Sequence, residues 1–413
     1  MRSVPALIEK KRDGLRLEED EIRFLISGYV SGDVPDYQMA ALAMAICIRG
    51  MDAEETTAMT MGMLQSGAVL NHSGHGSGRI VDKHSTGGIG DKTSLVLAPL
   101  LASAGLRVPM ISGRGLGITG GTLDKMESIP GFRTDLTLTE IERQIEIVGC
   151  VMTGQTPEIC PADRKLYGLR DVTGTVPSRP LIVSSIMSKK LAESLDALVL
   201  DVKYGSGAFM KTLADAQLLA QEMVIVGRKM GIDVSTLLTP MDEPLGEAVG
   251  NALEVAEAVE VLKGGGPPDL RCLVLDLADC VSGRERQQME ELLDNGAALG
   301  KWRQMLVAQG GDPDVDPVNR YPAVVRSELQ AAVTGTVTAV DAGVVGEVVL
   351  GLGAGRTRAG ESVDFSVGLS RIAKVGTHVA EGKCLLSIHA ASEEAASTAA
   401  AELRHRAIKV APD

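Results

Sequence analysis

Two glycine-rich segments constrain this chain more than any other feature. VDKHSTGGIGDKTS, Val81 to Ser94, and SGRGLGITGGTLDKME, Ser112 to Glu127, each follow a short β-branched run, RIVD and RVPMIS. Glycine at such a turn lets backbone N–H groups approach an anion, and the helix expected from about Lys92 adds a positive partial charge at its N-terminus. Lys83, Ser85, Thr86, Thr93 and Ser94 supply further donors. The first segment is not a Walker A loop, because Asp91 separates Gly90 from Lys92. The second contains G-x-G-x-x-G at Gly115, Gly117 and Gly120, which taken alone also fits a dinucleotide-binding dehydrogenase. Its first glycine comes late, after Gly113 and Arg114, and a Rossmann half needs one phosphate loop where this chain has two. Two loops after two strands fit better a free phosphate held between the carboxyl ends of neighbouring strands. The bland alternative, a glycine-rich turn with no ligand, leaves many donors without a purpose.

The loops sit within a chain of 413 residues, long enough for two or three domains. Residues 1–66 read as helices. Leu17, Ile22, Leu25, Ile26 and Tyr29 recur near helical period behind an acidic first turn, and Asp36 and Asp52 are placed to cap the next two helices. Asn71 to Gly78, NHSGHGSG, reads as linker, with His72 and His75 in it too flexibly spaced for a metal site. Strand and helix patterns then alternate, which implies parallel pairing and an α/β domain over 79–153 and 196–330. The largely helical run 162–193 can return to the first helices, making the all-α domain discontinuous. From 331 to 413 short Val-rich runs, TGTVTAVDAGVVGEVVLGLG among them, read as strands of a small β-rich module.

Composition excludes several classes. A net charge of −13 opposes nucleic-acid binding by phosphate neutralisation. Four Phe, five Tyr and one Trp are too few for base-stacking platforms or membrane belts. The most apolar stretch, Thr93 to Ile111, is broken by Pro99, Gly105, Arg107 and Pro109, and the N-terminus lacks an apolar secretory core. Six scattered cysteines without a C-x-x-C pair fit reduced thiols in a cytoplasmic protein. The expected partners are small molecules, with neither nucleic acid nor membrane.

A third segment, YGLRDVTGTVPSRPLIVSSIMSKK, places Ser185 and Lys189 at i,i+4 on one helical face. With Arg170 they can hold a flat polar ring by its carbonyl and N–H edge; a solvated helix face is the competing reading. Taken together, SGRGLGITGGTLDKME, VDKHSTGGIGD, PADRKLYGLRDVTGTV, SSIMSKK and PLGEAVGNALEVAEA resemble, in order and spacing, the motifs of the thymidine and pyrimidine-nucleoside phosphorylases. The resemblance spans nearly the whole chain. It implies an all-α domain carrying a homodimer interface, a larger α/β domain with a mostly parallel sheet that binds phosphate, and a β-rich C-terminal module.

Carried over by that resemblance, the phosphate contacts fall on Lys83, Ser85, Ser94, Ser112 and Thr122. The pyrimidine contacts fall on His84, Arg170, Ser185 and Lys189, with Tyr167 and Phe209 as further pocket residues. The implied reaction is reversible phosphorolysis, with inorganic phosphate as co-substrate and no cofactor. Arg170 and Lys189 would stabilise negative charge on the departing ring, and His84 would donate a proton. On this view His84→Ala or Arg170→Ala keeps the fold and loses ~10²–10³-fold in rate. Phosphate and base bound by different domains would require closure across the linkers. Met110 matches thymidine-selective relatives, whereas broader relatives have Lys there, so thymidine and deoxyuridine are the expected substrates.

Three departures stand out. Ile118 takes a position usually His, and Gly174 and Pro177 replace the usual Ala and Asp beside Arg170. Some relatives bind potassium at positions matching Gly90, Lys92, Leu245, Ala248 and Glu257. Here Lys92 replaces Thr; its ammonium would repel the ion and can pair with Glu257, so no metal is expected. A phosphoribosyltransferase-like enzyme and a non-catalytic nucleoside or phosphate sensor are the rival functions. The former is disfavoured because no acidic pair beyond Asp91 lies near the first loop; the latter is kept open by Ile118.

Overall fold

The computed structural model describes residues 3–72, 78–115, 117–358 and 360–413; His75 and Leu116 lie outside them. The chain opens with helices Val4–Arg12, Glu19–Ser31, Asp36–Arg49 and Ala53–Leu64. Asp52 caps the last of these through the Glu54 and Glu55 amides. Asp36, expected as a cap, is instead the first helical residue after Pro35. Helices Pro161–Thr173 and Arg179–Ala192 come back to this bundle. Ala162, Leu166 and Leu181 share one core with Leu17, Ile22, Leu25 and Leu42.

The central layer is parallel. Strand β1 (Val81–Ser85) pairs with β4 (Ala197–Tyr204), which pairs with β5 (Asp233–Pro240). Beside β1 lie β2 (Val108–Ile111) and β3 (Cys150–Thr153), joined to it through the Ile80–Arg107 bridge. The resulting order, β3-β2-β1-β4-β5, reverses direction between β1 and β4, and at that point the carboxyl ends of two neighbouring strands leave a crevice. Helix Thr93–Ser103, entered from the first glycine loop, is buried on every side. Such a helix is held by packing around its whole circumference rather than by one apolar stripe.

Three chain passages connect the helical and α/β layers, and they are tied to each other. The Ala68 amide donates to Glu158 O at 2.7 Å, and the Leu70 amide to Ala192 O at 2.8 Å. Ser194, in the left-handed region at φ 54°, donates its hydroxyl to Leu70 O at 2.7 Å. His72, read as part of a flexible linker, is buried, with Nε2 2.8 Å from Glu193 O.

The C-terminal module pairs β10 (Cys384–Ala390) with β6 (Val325–Gln330) and β8 (Gly368–Ser370), and β7 (Gly335–Val340) with β9 (His378–Val379) and β11 (Ile408–Pro412). Since β6 belongs here, the module starts before residue 331. AGVVGEVVLGL, expected as strand, is the helix Ala342–Leu352. Asp341 caps it, and Val345, Val348, Val349 and Leu352 bury one side, so tertiary burial overrides the β preference of valine. Helices Arg286–Asp294 and Ala297–Ala308 are separated at Gly296, which has φ 81°. All six cysteines are free thiols. Among the described residues no helix is long and apolar enough to cross a membrane.

Candidate active site

The crevice opens into a cavity of about 920 Å³. Its walls include Lys83, His84, Ser85, Ser94, Ser112 and Thr122 from the strand ends and glycine loops, and Tyr167, Arg170, Ser185, Lys189 and Phe209 facing them. The two glycine loops adopt their shape because a Cβ would collide with backbone. At Gly121 it would lie 2.0 Å from Gly115 N, and at Gly115 2.5 Å from Gly121 N.

At the strand end, charge is balanced before any anion arrives. Lys83 Nζ donates to Thr93 Oγ1 at 2.6 Å and lies 3.7 Å from Asp91 and 3.8 Å from Asp201. Lys203 Nζ donates to Asp201 at 2.6 Å. Burial pushes the Lys83 ammonium pKa down, partly offset by those two carboxylates. Burial alone would raise Asp91, but Lys203 and Lys83, with hydroxyl bonds from Ser85 and Thr93, hold it well below the usual range. Asp201 and Lys203 were not picked out from the sequence, because their partners come from a different strand and loop.

On the helical side the cations are fixed by the chain around them. Arg170 donates Nη1 to Leu181 O at 2.9 Å, Nη2 to Val176 O at 2.7 Å and Nε to Thr175 O at 3.3 Å. These bonds use three of its five N–H groups, and the residue also lines the cavity. Lys189 Nζ donates to Asp163 Oδ2 at 2.6 Å and to Ser185 Oγ at 2.9 Å. Asp163, a cavity residue itself, was likewise missed; it lies 26 positions before the lysine it orients.

His84 lies between the two sets. Burial, followed by Lys190, Lys189 and Lys83, holds its pKa well below the usual imidazole value. A neutral ring donates one hydrogen bond and accepts another, and it can give up a proton as an acid only once charged. Behind it, Lys190 bonds both Asp82 of β1 and, at 2.7 Å, Glu193, while Glu193 accepts the Ile111 amide at 3.0 Å. This wholly buried cluster joins the helix of Lys189 to the strand of Lys83.

Two expected residues stand apart. Met110 is buried in the α/β core, whereas its neighbour Ile111 lines the cavity; strand alternation turns the thioether away from it. Ile118 also avoids the cavity and packs toward Gly346 of helix Ala342–Leu352. The C-terminal module adds residues the sequence did not reveal. Arg356 lines the cavity and reaches Asp124 at 2.7 Å, and the Gly117 amide donates to Arg356 O at 3.0 Å. Lys92, behind the first loop, donates to Leu245 O at 3.0 Å, to Ala248 O at 2.7 Å and to the Glu257 carboxylate. Its ammonium stands among the oxygens that would ligate a potassium ion, so these residues do not fit that ion.

A helical bundle, a phosphate-type α/β crevice and a cavity shared by both place the chain among glycosyl transferases. Residues 5–67 match the glycosyl transferase family's helical bundle domain and residues 77–299 its a/b domain. Residues 336–410 match the pyrimidine nucleoside phosphorylase C-terminal domain. Over 399 residues, 94% of this chain and 92% of the relative, the sequence is 49% identical to pyrimidine-nucleoside phosphorylase of Geobacillus stearothermophilus. It is 48% identical over 398 residues, 94% and 92% of the two chains, to that of Staphylococcus haemolyticus. The chain belongs to the pyrimidine-nucleoside phosphorylase family and is a pentosyltransferase. Its fold is also that of anthranilate phosphoribosyltransferase from Thermus thermophilus, with a TM-score of 0.60 over 73% of this chain and 98% of the other. At 19% identity that likeness concerns the fold alone.

Proposed function

We propose that the cavity performs reversible phosphorolysis of pyrimidine nucleosides, with thymidine and deoxyuridine as preferred substrates. The products are the free base and 2-deoxy-α-D-ribose 1-phosphate. The observation that supports this most is the meeting of donor-rich strand ends and helix-borne cations across one cavity. Phosphate would sit at Lys83, Ser85, Ser94, Ser112 and Thr122. The ring would sit at Tyr167, Arg170, Ser185, Lys189 and Phe209, and His84 would touch both ligands. A phosphate oxygen attacks the anomeric carbon while the glycosidic C–N bond breaks. The base leaves with the bonding pair and gains a proton. Arg170 and Lys189 offset the charge developing on its ring oxygens. A phosphate dianion beside His84 favours the imidazolium, so binding the nucleophile would itself load the proton donor.

The position of Met110 supports a second reading, broad use of pyrimidine nucleosides including uridine, since Met110 does not line the cavity where a 2′-hydroxyl would be sensed. Thymidine, deoxyuridine, uridine and cytidine assayed at fixed phosphate, with no added cofactor, separate the readings. Thymidine and deoxyuridine are expected to turn over fastest. Equal rates with uridine support the broad reading, and no base release from any of them ends both.

Tyr37, Met44 and Ile48 are exposed on helix Asp36–Arg49 and suit the face of a homodimer. Closure of the two layers would bring phosphate and base together. Phosphate plus thymine should then reduce the radius of gyration in solution scattering; an unchanged radius would count against closure.

A further inference from the structure

We propose that Lys92 is a built-in monovalent cation. Its ammonium supplies, as part of the chain, the positive charge that an oxygen-lined site behind the phosphate loop requires, so the loop is positioned without a dissolved ion. Lys92 does not line the cavity, which makes it a positioning residue rather than a catalytic one.

Three oxygens converge on Nζ: Leu245 O, Ala248 O and a Glu257 carboxylate oxygen. Two carbonyls and one carboxylate form a hard donor set of the kind that replaces the hydration shell of a cation. These oxygens are held in place independently of the lysine. The Leu245 amide donates to Ile89 O at 3.0 Å, the Gly246 amide to Asp269 at 3.0 Å and the Glu247 amide to Glu257 Oε1 at 2.9 Å. Lys374 ties the same turn from outside, 2.9 Å from Asp269. With no positive charge at the centre, these buried oxygens would face each other unscreened. The surrounding wall is tight. A Cβ at Gly90 would lie 2.6 Å from Leu245 O, and one at Gly246 would lie 2.3 Å from Glu257 Oε2 and 3.0 Å from Lys92 Nζ.

The link to the phosphate end is short. Lys92 precedes helix Thr93–Ser103 and follows Asp91, whose carboxylate accepts from Thr93 and lies 3.7 Å from Lys83. Moving residue 92 therefore moves Asp91, Thr93 and Lys83 together. Ångström-scale misplacement of such groups costs up to about 10²-fold in rate.

The test compares wild type, Lys92→Thr and Lys92→Met in choline, sodium, ammonium and potassium chloride at equal ionic strength. It measures melting temperature and the KM for phosphate. Wild type is expected to be the same in every salt. Lys92→Thr, which withdraws the ammonium from the three oxygens, should melt lower and show a phosphate KM raised about tenfold or more in choline. Potassium or ammonium should restore both. Lys92→Met, which fills the space without charge, should be impaired and deaf to all four salts. The kinetic arm rests on the phosphorolysis assigned above, whereas the melting arm does not. Wild-type inactivity with a potassium-dependent melting point in Lys92→Thr would sink that assignment and leave the built-in cation standing. A wild type that potassium stabilises, or a Lys92→Thr variant whose melting point no cation changes, overturns the proposal.

Discussion

The two ends of the cavity solve the same electrostatic problem differently. At the phosphate end, Lys83 and Lys203 are neutralised in advance by Asp91 and Asp201, and the remaining donors are hydroxyls and loop amides on strand ends. At the base end, Arg170 is pinned by three backbone carbonyls, and a single carboxylate, Asp163, balances Lys189. On the assignment proposed above, the first arrangement would accept a full charge that comes and goes with the substrate. The second is rigid beforehand and would meet charge that develops only as the bond breaks, which is where fixed donors lower a barrier most. The comparison teaches that burial of a cation has different consequences depending on what satisfies it. An acid partner leaves a charge pair to be rearranged, whereas carbonyl partners make the cation part of the scaffold.

That difference can be broken by substitution. Arg170→Ala is expected to have the largest effect, a loss of ~10²–10³-fold in kcat together with a lower melting temperature. The carbonyls of Thr175, Val176 and Leu181 would lose their donor, at about 1–3 kcal/mol for each that water cannot reach. Here the structure amends the expectation from sequence that this variant keeps the fold unharmed. An Arg170→Ala protein as stable as wild type would mean that the carbonyls are not held as described. Lys83→Ala should come next. It should raise the phosphate KM with little change in the nucleoside KM, and it should also lower the melting temperature, because two buried carboxylates are left with Lys203 alone. Equal weakening of both substrates would erase the distinction between the ends.

The smallest effect concerns pH. His84 has its pKa held well below 6.5 in the fold and titrates near 6.5 when unfolded. Below that pH the unfolded chain takes up a proton that the folded chain refuses. The His84 contribution is therefore complete above about pH 6.5 and declines as the pH falls, by at most about 1.4 kcal/mol per pH unit. The melting temperature of wild type relative to His84→Asn, followed through this range without phosphate, should fall with acidity. Parallel curves would show that the ring takes up its proton as readily in the fold as in the unfolded chain.

The strand-end wall of the cavity was largely legible in the sequence, since glycines between a strand and a helix, with lysine and hydroxyls among them, mark a loop at a strand's carboxyl end. The base end was legible only in part: Ser185 and Lys189 announce themselves by i,i+4 spacing, but Asp163 and the carbonyls around Arg170 do not. Partnerships such as Lys190 with Asp82, made over 108 positions, leave no local pattern. Arg356 was hidden for the same reason, reaching the second glycine loop from the far module. Met110 stands in the α/β core and not in the cavity wall, a placement the sequence hid because a motif position does not say which side of a strand it faces. Helix Ala342–Leu352 was misread because valine-rich runs suggest strands until the surface that buries them is known.

The interrupted helical bundle has a consequence for how the protein is made. Its opening helices emerge first from the ribosome, yet Leu166 and Leu181, which finish their core, arrive only after several strands of the next layer have been synthesised. For that interval the apolar faces of Leu25 and Leu42 have no permanent cover. The nascent chain is then most exposed to clumping or chaperone capture, and it becomes safe only when the late helices dock.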